Sequence, residues 1–368
     1  MKFSIKKVTA VLTAAALAGS LAACSTDKSW AVKNSSESVP IGAYIYNLYT
    51  AYQTASSSAP DTTKPVLSQK IENKDATAWI NAKALTGVKS MLVIDGKMKQ
   101  MNLKLSADDE KNVSSTTDSL WGQYQSTMEK YGISKTSFNL ALSDYYTKYE
   151  KVFNATYGKG GSKEVPDAEL KTFFEKSYSD FSYIACPLYT ADASGNFKAA
   201  LSDADKKKKE AEFDGYAAKI KAGTMTIQTA ADAYQKSAGA TSSPLNNETL
   251  NLSTDTNYPQ AFKDVVKGMQ PGEIKATELS SLYAYVLVVK NDVSKKTDSE
   301  LKTADSRKSL LSDYKSKEFS DEISKEADAL KDVTVNDAAV NSYNPSMFVA
   351  SASSAAGTAS AAQAAPAK

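Results

Sequence analysis

The chain has 368 residues, more than one ordinary hydrophobic core organises, so two or more domains are expected. Its 44 Lys plus Arg balance 42 Asp plus Glu, with Arg307 as the only arginine, which argues against a nucleic-acid binder and leaves little means for bidentate phosphate recognition. There is no histidine, so His-based acid–base catalysis and the commonest transition-metal ligand are both missing, and neither a cofactor nor a metal is expected.

The first 23 residues read as an address. Lys2, Lys6 and Lys7 form a positive n-region, and Val8–Leu21 is a small-residue apolar run of secretory length. The run ends Leu21-Ala22-Ala23-Cys24, which resembles the lipobox of bacterial lipoproteins. That resemblance implies removal of residues 1–23, lipidation of Cys24 and an extracytoplasmic chain anchored to a bacterial membrane. More than one fatty chain at the anchor is what stable attachment requires. With Cys24 acylated, Cys186 has no disulfide partner and is expected to act as a small buried hydrophobe.

Residues 24–38 are polar apart from Trp30 and are expected to form a tether. From 39 to 163 the pattern is helical. Ile41, Tyr44, Ile45, Leu48, Tyr49 and Tyr52 share one face of a helix over Val39–Ala55. Trp79, Leu85, Val88 and Leu92 mark a long helix over Asp75–Leu105. Ser106-Ala107-Asp108-Asp109 caps a third, running to Tyr131-Gly132, and a fourth restarts at Ser134 with Phe138, Leu142, Tyr145, Tyr146, Tyr149 and Phe153. These rings have two available roles. One is simple core packing. The other is that some of them line a groove for extended chain, a role suited to tyrosine because it offers large area and few torsions to freeze, and the sequence does not divide the two sets.

A Gly-rich linker, Lys159–Lys163, precedes a second region, 164–298. Phe173, Phe174 and Tyr178 mark a short helix leading into an Asp180–Ala185 strand. Ser202–Asp205 caps a helix through Phe213, Tyr216 and Ile220, Thr226–Ser237 is another, and Thr249–Leu252 is a possible strand. Pro259 opens a helix carrying Phe262, Val265 and Val266, which stops at Gly268. Pro271-Gly272 turns the chain into two β-prone runs, Glu273–Leu279 and Tyr283–Val289. Residues 299–348 hold a helix over Asp305–Lys331 and a short strand at Val333–Asn336, and 349–368 is an Ala/Ser-rich tail expected to be disordered.

Helix, Pro-Gly turn, strand, strand at Tyr258–Lys290 resembles the C-terminal half of a parvulin-type prolyl isomerase domain, and the join at Val165–Ala185 resembles the PrsA and SurA families of extracytoplasmic foldases. The fold class implied is α+β. A mainly helical chaperone domain would be completed by residues 299–348, with a parvulin-like α/β domain of about four antiparallel or mixed strands inserted. Parvulins cross their pocket floor with two histidines from the first and last strands. Matching by motif places Tyr183 and Tyr285 at those positions, and Tyr258 and Phe262 at the residues that grip proline. The Gly-Gly loop of active members has no match, since Ala238–Ser242 occupies that region.

Rotation about an Xaa-Pro bond must cross a barrier of about 18–20 kcal/mol without making or breaking bonds. The site needs an apolar seat for the ring and polar groups that favour the twisted amide. The resemblance therefore implies a membrane-anchored foldase or chaperone binding unfolded, newly secreted polypeptides, with a weak or inactive isomerase module. Two alternatives stay open: an active isomerase using tyrosines in place of histidines, and a surface solute-binding or interaction lipoprotein. Serine-triad and P-loop chemistry are excluded by the missing histidine and the missing glycine motifs.

Overall fold

The computed structural model describes residues 29–192, 194 and 196–349; the leader, Cys24 and the tail from 350 on lie outside the described residues. The protein is α+β, with its described chain divided into two compact units, one of residues 29–165 and 311–349 and the other of 166–310.

The first unit begins with β1 (Trp30–Lys33) and β2 (Ser38–Pro40), then α1 (Ile41–Ser57). Ser29 O takes the Ile41 N–H at 2.9 Å, satisfying a donor that the first turn of a helix leaves open. A two-residue hairpin of β3 (Lys70–Ile71) and β4 (Lys74–Asp75) turns through Glu72 and Asn73, both at positive φ, into α2 (Ala76–Gln100). Asp75 caps α2 by accepting from Ala78 N at 3.0 Å. α1 and α2 bury Tyr44, Ile45 and Leu48 against Ile80, Ala84 and Val88, each worth about 1.5–3 kcal/mol for the larger side chains. Gly87 permits their approach: a Cβ there would lie 2.2 Å from Asn47 Oδ1.

α3 (Ala107–Lys130) starts with a full capping box between Ser106 and Asp109. α4 (Lys135–Asn139), a π-helical turn (Leu140–Asp144) and α5 (Tyr145–Tyr157) follow. Sequence periodicity predicts one unbroken helix here. The π turn holds an extra residue per turn and so shifts the phase of everything after it.

In the second unit, α6 (Asp167–Ser177) feeds β5 (Ser179–Pro187). A hairpin of β6 (Tyr189–Ala191) and β7 (Phe197–Ala200) comes next, in a stretch too polar and small-residue-rich to announce strands. After it come α7 (Asp203–Lys221), α8 (Ile227–Ala238), β8 (Asn246–Leu250), α9 (Gln260–Lys267), β9 (Ile274–Leu279) and β10 (Ala284–Lys290). The sheet order is β8-β5-β10-β9 and every pairing is antiparallel. One face packs on α9 through Phe181, Val286, Val288, Phe262 and Val266. The other packs on α7 and α8 through Ile184, Cys186, Leu287, Phe213, Ala230 and Tyr234. Gly239 ends α8 at φ 64, the left-handed cap that glycine adopts without penalty.

α10 (Thr297–Lys302) lies against α6, where Thr297 donates to Glu175. α11 (Ala304–Ala329) begins in the second unit and from Leu311 on belongs to the first, which β11 (Thr334–Val335) and α12 (Asp337–Val340) complete. β11 pairs with β1, Val32 opposite Val335, giving the sheet order β11-β1-β2. The tether expected over 24–38 is thereby corrected for its described part, from 29 on: Ala31 and Val32 are fully buried strand residues. Their partner strand lies about three hundred residues downstream, beyond the reach of a local reading.

Candidate functional site

Two aromatic sites emerge from these units. In the first, the π turn places Tyr145 and Tyr146 at the start of α5 and Tyr149 one turn on. Tyr145 and Tyr146 ring centroids lie 5.3 Å apart, and Tyr146 and Tyr149 lie 6.5 Å apart. Tyr146 is 51% exposed, the largest exposure of any described tyrosine ring in this unit. α11 forms the opposite wall, with Ser316, Lys317, Ser320 and Asp321 around a cavity of about 420 Å³. Phe319, buried, backs Tyr149 at 4.7 Å edge to face. Of the other rings, Tyr44, Tyr46, Tyr49 and Tyr157 are buried in the core and Tyr52, Tyr124 and Tyr131 pack half-buried against it; burial pushes the Tyr44 phenol up to about 12. Chemically this cavity offers ring faces with hydroxyl tips and one charge of each sign, Lys317 and Asp321, paired with each other.

In the second unit, period-two alternation along β5 sets Phe181 and Tyr183 on the face covered by α9. Phe262, one turn before Val266 on α9, meets Tyr183 at 4.9 Å and Phe181 at 5.8 Å. Tyr258 stacks on Phe262 at 5.2 Å with an interplanar angle of 24°. The Tyr183 and Tyr258 hydroxyls are 3.4 Å apart. Burial, the Tyr183 hydroxyl and the Glu248 carboxylate together push the Tyr258 phenol well above its ordinary range. Burial likewise raises Tyr183. Both phenols are therefore neutral at physiological pH, with the Tyr183 hydroxyl donating to Tyr258 and the Tyr258 hydroxyl beside the Glu248 carboxylate.

Tyr183, Tyr258 and Phe262 are thus brought together, but Tyr285 is not. Tyr285 pairs with Cys186 and faces α7, where its hydroxyl donates to Asp214 at 2.9 Å and its ring lies 6.1 Å from Phe213. The expected floor of two tyrosines from the first and last strands does not form. Beside Tyr183 on this face β10 supplies Val286 and Val288, neither able to polarise an amide, and Lys290 stands at the strand's far end. Register is the reason, because residues one apart in a strand point to opposite faces.

Sequence reasoning passed over Phe181 and Glu248. Phe181 is two residues before Tyr183, so alternation along the strand carries its signal. Glu248 reaches the site only because β8 pairs with β5, Phe181 opposite Glu248. Among the described residues no group of three or more Cys, Asp or Glu is placed to hold a metal ion, and no helix is long and apolar enough to cross a membrane.

No protein-family model matches the chain, and no curated protein matches it. Among solved structures it is similar to the crystal structure of foldase protein (PrsA) from Lactococcus lactis, with 16% identity and a TM-score of 0.34 over 87% of this chain and 97% of that one. It is also similar to PrsA from Bacillus subtilis, with 15% identity and a TM-score of 0.29 over 77% of this chain and 96% of that one.

Proposed function

We propose that this chain is an extracytoplasmic chaperone of the foldase type, held to a membrane through a lipid on Cys24, that binds unfolded secreted polypeptides. The observation that carries the reading is the outward tyrosine cluster of Tyr145, Tyr146 and Tyr149 over its cavity. Exposed rings with polar tips hold extended chain of varied sequence without demanding one side chain. The Leu21–Cys24 pattern supports the anchor. The test is suppression of aggregation of a chemically denatured, unrelated protein by residues 25–368, alongside a variant with Tyr145, Tyr146 and Tyr149 all changed to Ser. The triple variant is expected to protect several-fold less and to melt lower, because Tyr145 and Tyr149 are half-buried. Tyr146→Ser, at the exposed ring, is therefore the folded control and is expected to weaken protection at an unchanged melting temperature; protection equal to the parent's by both variants sinks the reading.

The second unit is read as a proline-accepting surface with little or no isomerase activity. Tyr183 and Tyr258, both half-buried, offer ring surface to a proline over the buried Phe262, and the polar groups beside them are their two phenols and Glu248. Exchange of short Xaa-Pro peptides, followed by NMR, is expected to run at its uncatalysed rate. Acceleration that disappears in Tyr183→Phe would make this unit an enzyme.

A further inference from the structure

Beside the aromatic face of the sheet unit lies a second cavity, of about 470 Å³, that the reading above does not use. Its floor includes Lys290, the last residue of β10, only 8% exposed. The Lys290 ammonium donates to Ser179 Oγ at 2.7 Å and to Val266 O at 3.3 Å near the end of α9. Both acceptors are neutral; the helix end contributes a partial negative charge at most. Among the described residues no carboxylate makes an ion pair with Lys290. Asp180 is on the opposite face of β5, accepting from Thr249 Oγ1 at 2.9 Å.

The rest of the lining sharpens the imbalance. Lys176 and Lys267 add two more ammonium groups, and Asn251 and Asn291 add amides. Glu175 is the one acid of the described lining, and its carboxylate already accepts from Thr297 and pairs with Lys171. Burying a cation against neutral acceptors is costly unless a counter-charge arrives. Burial indeed lowers the Lys290 ammonium below its ordinary range, with the charge of Asp180 acting only in part against it.

We propose that this cavity is an oxyanion site that takes the carboxylate of an acidic side chain on a bound, extended polypeptide. The inference rests on the chaperone reading and assigns its second unit a preference that the rings cannot supply. An incoming carboxylate meets a recess lined by Lys176, Lys267 and Lys290 and by Asn251, while the Asn291 amide donates to Ser182 Oγ at 3.5 Å; in a partly desolvated recess charge-assisted hydrogen bonds are strongest.

The test uses residues 25–368 and two peptides, acetyl-Ala-Ala-Glu-Ala-Ala-amide and its Gln twin, with inorganic phosphate as a third ligand, titrated by NMR. The Glu peptide is expected to bind at least tenfold tighter than the Gln peptide, with shifts centred on Ser179, Asn251 and Asn291. The preference is expected to vanish in Lys290→Met and to fall several-fold in Lys267→Gln, whose exposed position leaves the fold intact. Equal binding of the two peptides, shifts centred elsewhere, or a preference that survives Lys267→Gln unchanged overturns the site. Phosphate binding tighter than the Glu peptide, with the same lysine dependence, overturns its assignment to polypeptide carboxylates. Aggregation suppression without a carboxylate preference refutes this inference alone; a carboxylate preference without suppression refutes the chaperone reading.

Discussion

Tyr183 and Tyr285 stand on neighbouring antiparallel strands and face opposite sides of one sheet, Tyr183 opposite Val288 and Tyr285 opposite Cys186. The two hydroxyls consequently serve different partners, Tyr183 beside Tyr258 and Tyr285 on Asp214. Tyr285→Phe is expected to leave binding of Xaa-Pro peptides unchanged while lowering stability by about 1 kcal/mol through the lost hydrogen bond. Tyr258→Ala is expected to weaken peptide binding several-fold. Peptide titrations and urea midpoints on the two variants decide the matter; a binding defect in Tyr285→Phe contradicts the assignment of faces.

Phe319 reaches the tyrosine cluster from α11 and touches Tyr149, Phe153 and Tyr157. It is 1% exposed, so Phe319→Ala leaves a cavity beneath three rings. The expected cost is about 3–5 kcal/mol, seen as a lower urea midpoint of the first unit. A loss under about 1 kcal/mol would mean that the cluster does not rely on this ring.

Cys186 is fully buried, and burial pushes its thiol up to about 11. In residues 25–368 it is the single thiol, so labelling reports on one site. At pH 8 the native protein is expected to react with an aromatic disulfide only as fast as it opens, and fully in denaturant. The raised value also sets a sign: the unfolded thiol ionises first, above about 8.5, so this group's contribution to stability falls as pH climbs from there towards about 11. Rapid native labelling at pH 8 would contradict the burial.

Asp109 closes the capping box of α3 and pairs with Lys151, and those contacts hold its carboxyl down to about 2. Because the folded value lies below the unfolded one of about 3.9, the stabilisation is complete above the unfolded value and disappears as pH falls through about 2. Ser106→Ala is expected to cost about 1 kcal/mol at pH 7. Its difference from the parent should shrink between pH 4 and pH 2 in urea titrations; a pH-independent gap would place the stabilisation elsewhere.

Much of the scaffold was legible because its signals are local. Pro259 and Gly268 bracket α9, and Ser106 and Asp109 mark the start of α3, since caps and breakers act within one turn. The α+β class was expected from the family resemblance, and the structure has it. Tyr258 and Phe262, four apart on the entry to one helix, do stack on one another. Less legible were the π turn, which no residue type announces, and the β6–β7 hairpin, whose pairing joins weakly patterned segments.

What the amino-acid order determined by itself was where the capped helices and the strongly apolar strands lie, and that the chain has no histidine chemistry to use. What only the tertiary structure decided was which side chains meet. Tyr285 faces α7 instead of Tyr183 because a strand's faces alternate with every residue, and only the pairing of β10 with β5 sets the phase. Trp30–Lys33 is strand, not tether, because β11 returns to pair with it. Lys290, an ordinary lysine in an apolar run, became a buried cation at a cavity because α9 closes over the end of its strand. Distances along the chain carry the first kind of information, and contacts across it carry the second.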